Sequence, residues 1–176
     1  GKYCLTNGLL EPTGNCSAGY WCGNGSDSAR PALVDNGGLC PSGYYCPEGS
    51  SAPIPCPSGT YQPAQGSKAV QDCLSCPGGF CCLTSGLSAP TGLCSAGWYC
   101  TNSSTSATPT PDGVTGGSCP AGHFCANGSS APTSCPAGTF CNSSNCEHCS
   151  SCPAGFYCTI GAVNPIICPA GDYCPP

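Results

Sequence analysis

The sequence predicts a small disulfide-rich protein arranged as an elongated tandem array, with short β-strands and turns and no significant helix. Twenty-two of its 176 residues are cysteine, an even number and a density typical of chains stapled by disulfides in oxidising compartments. A seven-residue motif recurs along the chain, and no window shows apolar residues at helical spacing over ten residues. We therefore expect repeated small modules and no conventional hydrophobic core.

The motif consists of a cysteine, two small residues or prolines, a glycine, two residues that are mostly aromatic, and a closing cysteine. Nine copies open at Cys16, Cys40, Cys56, Cys76, Cys94, Cys119, Cys135, Cys152 and Cys168. Proline presets φ for a turn, and glycine supplies the positive φ that follows. We expect the aromatic residue to cover the neighbouring sulfur atoms. Short strands are predicted around the aromatic residues, for example at Gly43–Cys46 and Gly155–Cys158.

Three copies depart from this pattern. Gln62 stands where the third copy should close with a cysteine, and Cys81 occupies an aromatic position of the copy CPGGFCC. Cys141 and Cys146 add to the irregularity of the seventh copy, and they are a candidate local pair.

The motifs lie inside a longer repeat. Residues 1–22 and 79–100 are identical at 14 of 22 positions, and the later cysteines keep step at offsets of 76 to 79 residues. We predict one repeat unit over residues 1–78, a second over 79–154, and the start of a third over 155–176. Such self-similarity is typical of arrays in which each unit contacts mainly its neighbours.

The composition excludes several classes of protein. A net charge of −5 with three Lys and Arg residues lacks the basic footprint of nucleic-acid binding. No apolar run approaches the roughly 18 residues of a membrane span. The eight acidic residues form no pair at a repeated spacing: Glu11, Asp27, Asp35, Glu48, Asp72, Asp112, Glu147 and Asp172. His123 fills an aromatic position of the motif, where packing is a better explanation than base catalysis. We therefore predict no enzyme, no cofactor and no small-molecule substrate.

Five Asn-x-Ser/Thr sequons predict N-glycans, at Asn24, Asn102, Asn127, Asn142 and Asn15. Asn24 and Asn102 occupy equivalent positions, two residues after a closing cysteine. The segment Thr101–Ser118 is rich in Ser, Thr and Pro, which favours a solvated loop that could carry O-glycans.

Cysteines at CxxC spacing raise the alternative of a metal or redox site. Cys146, Cys149 and Cys152 form CxxCxxC, and Cys73 and Cys76 form CxxC, a spacing that binds zinc in cytosolic proteins. His148 is the only histidine near either cluster. Because the remaining framework indicates oxidation, we predict disulfides here and no metal.

The run YYCPEGSSAPIPCPSGTYQPAQGSKAVQDCLSCPGG, from Tyr44 to Gly79, resembles the ephrin-receptor-like, tumour-necrosis-factor-receptor-like cysteine-rich repeats. Arrays of this type occur in large surface proteins of algae, ciliates and other protists, including the glycoproteins of mastigonemes, the hairs of flagella. By this resemblance Cys56 would pair with Cys73, and Cys135 with Cys149. We expect the other cysteines to be oxidised as well.

The resemblance implies a structural subunit of an extracellular, glycosylated, mastigoneme-like filament at the cell or flagellar surface, with copies of itself or adjoining repeats as partners. The alternative is a ligand-binding or adhesive ectodomain of a receptor-like protein. In that case the loops Gly23–Leu39 and Thr101–Ser118 would hold the ligand, and Trp21 and Trp98 could contribute to its site.

The two ends of the sequence complement each other. Joined head to tail, Cys174-Pro175-Pro176 and Gly1-Lys2-Tyr3-Cys4 read CPPGKYC, a complete motif. We therefore expect consecutive segments along a fibre axis, joined covalently or by docking. An elongated array should also scatter with a radius of gyration above the ~16 Å of a compact chain of this length.

Overall fold

The structure of the protein is a computed structural model, which describes residues 1–32, 36–110, 114–172 and 174. These residues form eighteen short β-strands and one three-residue 3-10 turn, Val70–Asp72, and they contain no α-helix. The predicted fold class, a small disulfide-rich fold with short strands and no significant helix, is confirmed.

The strands pair consecutively into nine antiparallel two-stranded hairpins. In chain order they are β1 Lys2–Tyr3, β2 Gly14–Asn15, β3 Tyr20–Cys22, β4 Gly37–Leu39, β5 Tyr44–Tyr45, β6 Ile54–Pro55, β7 Thr60–Tyr61, β8 Leu74–Ser75, β9 Phe80–Cys81, β10 Gly92–Leu93, β11 Trp98–Cys100, β12 Gly116–Ser118, β13 His123–Phe124, β14 Thr133–Ser134, β15 Thr139–Phe140, β16 Ser150–Ser151, β17 Phe156–Tyr157 and β18 Ile166–Ile167. The strands predicted at Gly43–Cys46 and Gly155–Cys158 are confirmed as β5 and β17. Hairpins this short are marginal in isolation, so they need other support.

The motif folds as a tight turn followed by a strand. The backbone N–H of its fifth residue donates to the carbonyl of its second, as from Tyr44 to Pro41 at 3.2 Å. The intervening glycine has a positive φ in every copy, +85° at Gly43, as position i+2 of a type II turn requires. Proline is the first residue of this turn and not the second. The expectation that proline presets a central φ is therefore wrong, while the role predicted for glycine is confirmed.

The chain divides into two compact units. The first comprises Gly1–Cys76 and Cys82–Thr91, and the second comprises Pro77–Cys81 and Gly92–Pro176. Strands β1–β8 belong to the first unit and β9–β18 to the second. The compact units are defined by contacts in space, whereas the repeat units are defined by sequence similarity, so one division does not test the other. The repeat boundaries 1–78, 79–154 and 155–176 therefore stay a prediction.

The core of each unit is made of sulfur. Among the described residues, every buried hydrophobic side chain is a cysteine except Ala162, prolines aside. Large aliphatic side chains lie outside, and Leu10 is fully exposed. In the second unit Phe140 and Phe156 pack against the buried cluster of Cys152, Cys158 and Ala162. There, aromatic rings lie beside sulfur as expected.

No helix among the described residues has the length and apolar character that crossing a membrane requires.

Candidate functional site

The candidate site is the stapled motif and the way in which it joins the next motif. Seven of the ten disulfides link the first and last cysteines of one motif, with Cα–Cα distances of 5.7 to 6.0 Å. These pairs are Cys16–Cys22, Cys40–Cys46, Cys76–Cys82, Cys94–Cys100, Cys119–Cys125, Cys152–Cys158 and Cys168–Cys174. Each such ring constrains the turn in the unfolded chain and stabilises the fold by about 2 to 3 kcal/mol.

The third and seventh motifs use a different connection. Their opening cysteines reach forward, in the pairs Cys56–Cys73 and Cys135–Cys149. The closing cysteine of the seventh motif bonds the nearby Cys146, as the pair Cys141–Cys146. The structure thus contains all three pairs named from the sequence.

Gln62 replaces the missing half of a disulfide with hydrogen bonds. Its side chain is 6% exposed. The amide Nε2 donates to the carbonyl of Asp72, beside Cys73, and Oε1 accepts the N–H of Ala64 at 3.0 Å. Gln62 therefore links the closing position of this motif to Asp72, next to Cys73, the residue that Cys56 bonds.

Cys4 and Cys81 form no disulfide. The expectation that all cysteines are oxidised is therefore wrong for these two. Cys81 occupies an aromatic position in β9, where its buried thiol donates to the carbonyl of Gly92 at 3.6 Å, while its neighbour Cys82 bonds Cys76. Cys4 is exposed and is the repeat equivalent of Cys82.

The predicted junction CPPGKYC would need Cys174, which already forms another disulfide. Cys174 already closes its own motif by bonding Cys168, so a staple to Cys4 would have to displace that bond. Pro175 and Pro176 lie outside the described residues.

Eight of the nine motif glycines, each the fourth residue of its motif, exchange two backbone hydrogen bonds with the next motif. The carbonyl of each accepts the N–H of the next opening cysteine at 2.8 to 3.0 Å, and its N–H donates to the carbonyl of the next closing residue at 2.7 to 3.3 Å. In the first unit the N–H bonds run from Gly19, Gly43 and Gly59 to Cys46, Gln62 and Cys82. In the second they run from Gly79, Gly97, Gly122, Gly138 and Gly155 to Cys100, Cys125, Cys141, Cys158 and Cys174.

A second left-handed residue follows the closing residue of the first eight motifs, and also Cys4, by three or four positions, and we call it the slot residue. The slot residues have φ between +63° and +81° and are Gly8, Gly25, Gly49, Gly66, Gly86, Ser103, Gly128, Asn145 and Gly161. In six of them the slot N–H donates to the carbonyl of the opening cysteine of the preceding motif, as from Gly128 to Cys94 at 2.8 Å. This position was not predicted from the sequence; a glycine three or four residues after the motif is the signal that marks it in most copies.

Five motif glycines also lie directly against a slot residue two motifs further on, namely Gly19, Gly43, Gly79, Gly97 and Gly122. A methyl group added at Gly43 would lie 2.2 Å from the carbonyl oxygen of Gly86, and one at Gly79 would lie 2.3 Å from that of Gly128. Such contacts leave no room for a side chain. At these positions the motif therefore requires glycine for close approach as well as for its turn.

The five sequon asparagines are all exposed, at Asn15, Asn24, Asn102, Asn127 and Asn142. The sequons of Asn24 and Asn102 place their third residues, Ser26 and Ser104, inside the fold, 4% and 0% exposed. Asn102 accepts the N–H of Gly78 through Oδ1 at 3.0 Å, which does not use Nδ2, the atom that carries an N-glycan. N- and O-glycosylation stay predictions.

Trp21 is part of a concave surface in the first unit. A cavity of about 410 Å³ is lined by Trp21, Ala32, Gly38, Leu39, Pro41, Pro53 and Gln65. Three of these residues come from the loop Gly23–Leu39, the predicted ligand loop, of which residues 33–35 lie outside the described part. Trp98 lies in β11 and is half-buried; the loop Thr101–Ser118 likewise includes residues 111–113, which are outside the described part.

The cysteines at CxxC spacing are all in disulfides, which leaves none of them to a metal. Within the described residues no group of three or more His, Cys, Asp or Glu side chains is placed to hold a metal ion. His123 is half-buried, with Nδ1 3.3 Å from the carbonyl oxygen of Ala121. Asp35 and Asp112 lie outside the described residues.

Asp72 organises the turn between the third and fourth motifs. Its carboxylate accepts the backbone N–H of Lys68 at 2.6 Å and of Ala69 at 3.1 Å. These two hydrogen bonds hold the pKa of Asp72 below its usual value. The carboxylate therefore has a local structural role in this turn.

No protein-family model matches the chain, and comparison with curated proteins also finds no match.

Proposed function

We propose that this chain is a structural segment of an extracellular, glycosylated, mastigoneme-like filament. The observation that supports this most directly is the repeated backbone exchange between successive motifs. Because the join uses N–H and C=O groups of glycine and cysteine, it can recur whatever side chains point outward. Contacts of this nearest-neighbour kind are typical of arrays that extend in one dimension.

Twenty of the cysteines are oxidised, which is typical of extracellular or secreted proteins. Short disulfide rings and a sulfur core suit a material that must resist unfolding and proteolysis outside the cell. Exposed asparagines in five sequons would allow a glycan coat. We propose that the partners are adjoining repeats or further copies of the chain, and we propose no catalytic activity.

Immunogold electron microscopy of the source cells tests this proposal. Antibodies to the chain should label filaments at the cell or flagellar surface at a regular spacing, and deglycosylation should increase labelling. Labelling confined to the cell interior, or to single particles on the membrane without filaments, would refute the proposal.

A ligand-binding ectodomain is the second candidate, and the cavity beside Trp21 is the observation in its favour. A concave surface with an aromatic ring and few polar groups is a common kind of ligand site. Screening of the chain on a glycan and peptide array decides between the two. Saturable binding lost in Trp21→Ala and kept in Trp98→Ala would support the ectodomain over the filament.

A further inference from the structure

Two of the three Lys and Arg side chains of the protein lie around a single motif. The chain has a net charge of −5, and its Lys and Arg residues are Lys2, Arg30 and Lys68. Arg30 and Lys68 are far apart in sequence, yet both lie against the first motif, at Tyr20 and Gly19. Such a concentration of positive charge on an acidic chain indicates a candidate site for an anion.

Arg30 lies over the aromatic ring of Tyr20. Its guanidinium carbon is 6.0 Å from the centre of the ring, at the outer range of a cation–π contact. A guanidinium on a ring keeps its N–H groups for a second partner, and their planar fork matches the oxygens of a carboxylate or sulfate. The ring therefore orients the cation, while Arg30 itself remains exposed.

Lys68 approaches the same motif from the connection after the third motif. A methyl group added at Gly19 would lie 3.5 Å from Cγ of Lys68, so the lysine stem passes over the residue next to Tyr20. The slot residue Gly66 brings this segment there, because its carbonyl oxygen would be 2.7 Å from the same methyl group. Lys68 is exposed, and its ammonium group can extend past Gly19 into solvent.

Hydrogen bonds hold the backbone of both cationic residues. The N–H of Arg30 donates to Ser28 Oγ at 3.1 Å, and the N–H of Lys68 donates to the carboxylate of Asp72 at 2.6 Å. Within the described residues, neither cationic side chain forms an ion pair with a carboxylate. Because the backbone is already ordered and both charges lack a partner there, binding an anion costs less conformational freedom than it would on a mobile loop.

The second unit repeats this backbone arrangement. A methyl group added at Gly97 would again lie 2.7 Å from a slot carbonyl oxygen, that of Asn145. Thr108 donates its N–H to Ser106 Oγ at 3.1 Å, as its counterpart in the first unit does to a serine. The positions that carry the two cations in the first unit therefore exist here in the same local geometry.

The side chains at these positions differ in charge between the two units. Thr108 stands where the first unit has Arg30, and Glu147, two residues after the slot, stands where the first unit has Lys68. One unit therefore has two cations, and the other has a neutral residue and an acid. Because the backbone forms equally well without the cations, their presence in the first unit supports a binding role.

We propose that the face formed by Tyr20, Arg30 and Lys68 binds an acidic polysaccharide outside the cell. Arg30 and Lys68 hold a carboxylate or sulfate group of the saccharide through charge-assisted hydrogen bonds, and the Tyr20 ring orients Arg30. This function goes beyond the proposed filament and holds whether or not the chain assembles.

The small number of cations and the oxidised cysteines favour a polysaccharide over other polyanions. Clusters that bind anionic membranes have about four to eight Lys and Arg residues, and nucleic-acid sites also contact many phosphates. Most cysteines of this chain are in disulfides, which is typical of proteins outside the cell. Acidic polysaccharides are polymeric anions of that compartment, and one oxyanion needs no more than two cations.

Amide chemical shifts of the isotopically labelled chain, titrated with a galacturonic acid hexamer, test the proposal. Saturable shifts should centre on Tyr20, Arg30 and Lys68, and a sulfated heparin hexasaccharide should shift the same amides. Maltohexaose, the neutral control, should cause no shifts. Binding should weaken between about 0.01 M and about 1 M salt, because the screening length falls from roughly 30 Å to roughly 3 Å.

Removal of each charge gives the expected magnitude. Arg30→Gln and Lys68→Gln should each raise the Kd about two- to fivefold, as loss of one exposed charge pair does, and together about tenfold. Lys2→Gln is the matched control, because it removes the same charge from strand β1 and should bind like the wild type.

The second unit allows the converse experiment. Thr108→Arg together with Glu147→Lys places two cations around Trp98, at the positions that Arg30 and Lys68 occupy in the first unit. New saturable shifts should then appear at Trp98. Unchanged shifts away from the substituted residues confirm the fold of each variant.

Absence of saturable shifts, or equal losses in Lys2→Gln and in Arg30→Gln with Lys68→Gln, would overturn the proposal. Maltohexaose binding as tightly as the galacturonic acid hexamer would do the same. Equal or tighter binding of single-stranded DNA or of phosphatidylserine vesicles would overturn the assignment to an acidic saccharide. If no saccharide binds while antibodies still label surface filaments, this site is wrong and the proposed filament function stands.

Discussion

At the scale of single residues, Gln62 and the slot residues show which substitutions a motif tolerates. Gln62 lacks the sulfur of the other closing residues, yet it remains buried because its amide spans two backbone groups. The slot is glycine in most copies, but Ser103 and Asn145 adopt the same left-handed conformation. Individual copies of the motif can therefore carry different side chains at these positions while the backbone keeps the same conformation.

Gln62→Ala should lower the free energy of unfolding by about 0.5 to 1.5 kcal/mol, because the carbonyl of Asp72 and the N–H of Ala64 lose a hydrogen-bond partner. Guanidinium denaturation of the oxidised protein measures this. Gln65→Ala, at an exposed glutamine three residues away, is the control and should change stability little. Equal effects of both variants would show that the Gln62 amide is not a structural tie.

Ser103→Gly should raise the stability of the second unit by about 0.5 to 1 kcal/mol. Serine at φ +63° is strained, and the relief exceeds the extra entropy of glycine in the unfolded chain. The sequon of Asn102 is kept, so glycosylation does not confound the thermal unfolding measurement. Ser130→Gly, at an exposed serine without positive φ, should leave stability unchanged or lower it. A loss of stability in Ser103→Gly would contradict the strain argument.

At the scale of elements, the stapled motif and its hairpin are the folding unit. A two-residue hairpin is marginal alone. The disulfide across each regular motif closes a ring around the turn, and the motif glycine then continues the hairpin bonds into the next motif. Stability is therefore distributed over many small rings and is not concentrated in one core.

Replacing both Cys94 and Cys100 by serine should cost about 2 to 3 kcal/mol, the stabilisation of a short ring. Cys4→Ser is the control, because Cys4 is exposed and unbonded. Chemical denaturation of the three proteins gives the comparison. Loss of stability in Cys4→Ser would mean that Cys4 has a partner in solution.

The Asp72 turn predicts a pH dependence. The pKa of Asp72 is lower folded than unfolded, so its contribution is fully present above the unfolded value and is lost as pH falls through the folded value. Wild type should therefore lose stability towards acid more steeply than Asp72→Asn, in which this carboxylate is absent. Thermal unfolding from neutral to acid pH measures the difference. Asp27→Asn, at an exposed aspartate of the same unit, should follow the wild type, and identical curves for all three would refute the role of Asp72.

At the scale of the whole molecule, the surface and the interior differ in composition. Aliphatic side chains and five sequon asparagines face outward, while sulfur fills the interior. Whether the array is elongated stays a prediction for small-angle scattering. The surface therefore presents asparagines to which glycans could be attached and aliphatic side chains that a neighbouring protein could contact.

Glycan addition should depend on the state of the chain. Ser26 and Ser104 are buried, so the transferase can recognise the sequons of Asn24 and Asn102 only before folding. Asn142 is the matched control, because its sequon ends at the exposed Ser144. Oligosaccharyltransferase acting on the folded, unglycosylated protein should modify Asn142 and spare Asn24 and Asn102, as read by peptide mass. Modification of all three sites would contradict this order of events, and unmodified Asn24 and Asn102 in secreted protein would refute their glycosylation.

The fold class, the motif turn and much of the disulfide framework could be predicted from the order of the residues alone. Cysteine spacing and positive-φ glycines act locally, so short-range reasoning locates the turn and the strand that follows. Cys56–Cys73 and Cys135–Cys149 came from resemblance to known repeats, since cysteine spacing alone allows many connectivities.

The groups that meet between motifs could be identified only from the folded structure. The unpaired states of Cys4 and Cys81, the hydrogen bonds of Gln62 and the contacts of the slot residues all depend on how the backbone folds. Gly43 and Gly86, for example, touch across 43 positions, and nothing in either local sequence signals the contact. Local turn chemistry is therefore readable from the chain, whereas the packing of one motif on another appears only when the backbone has been folded in space.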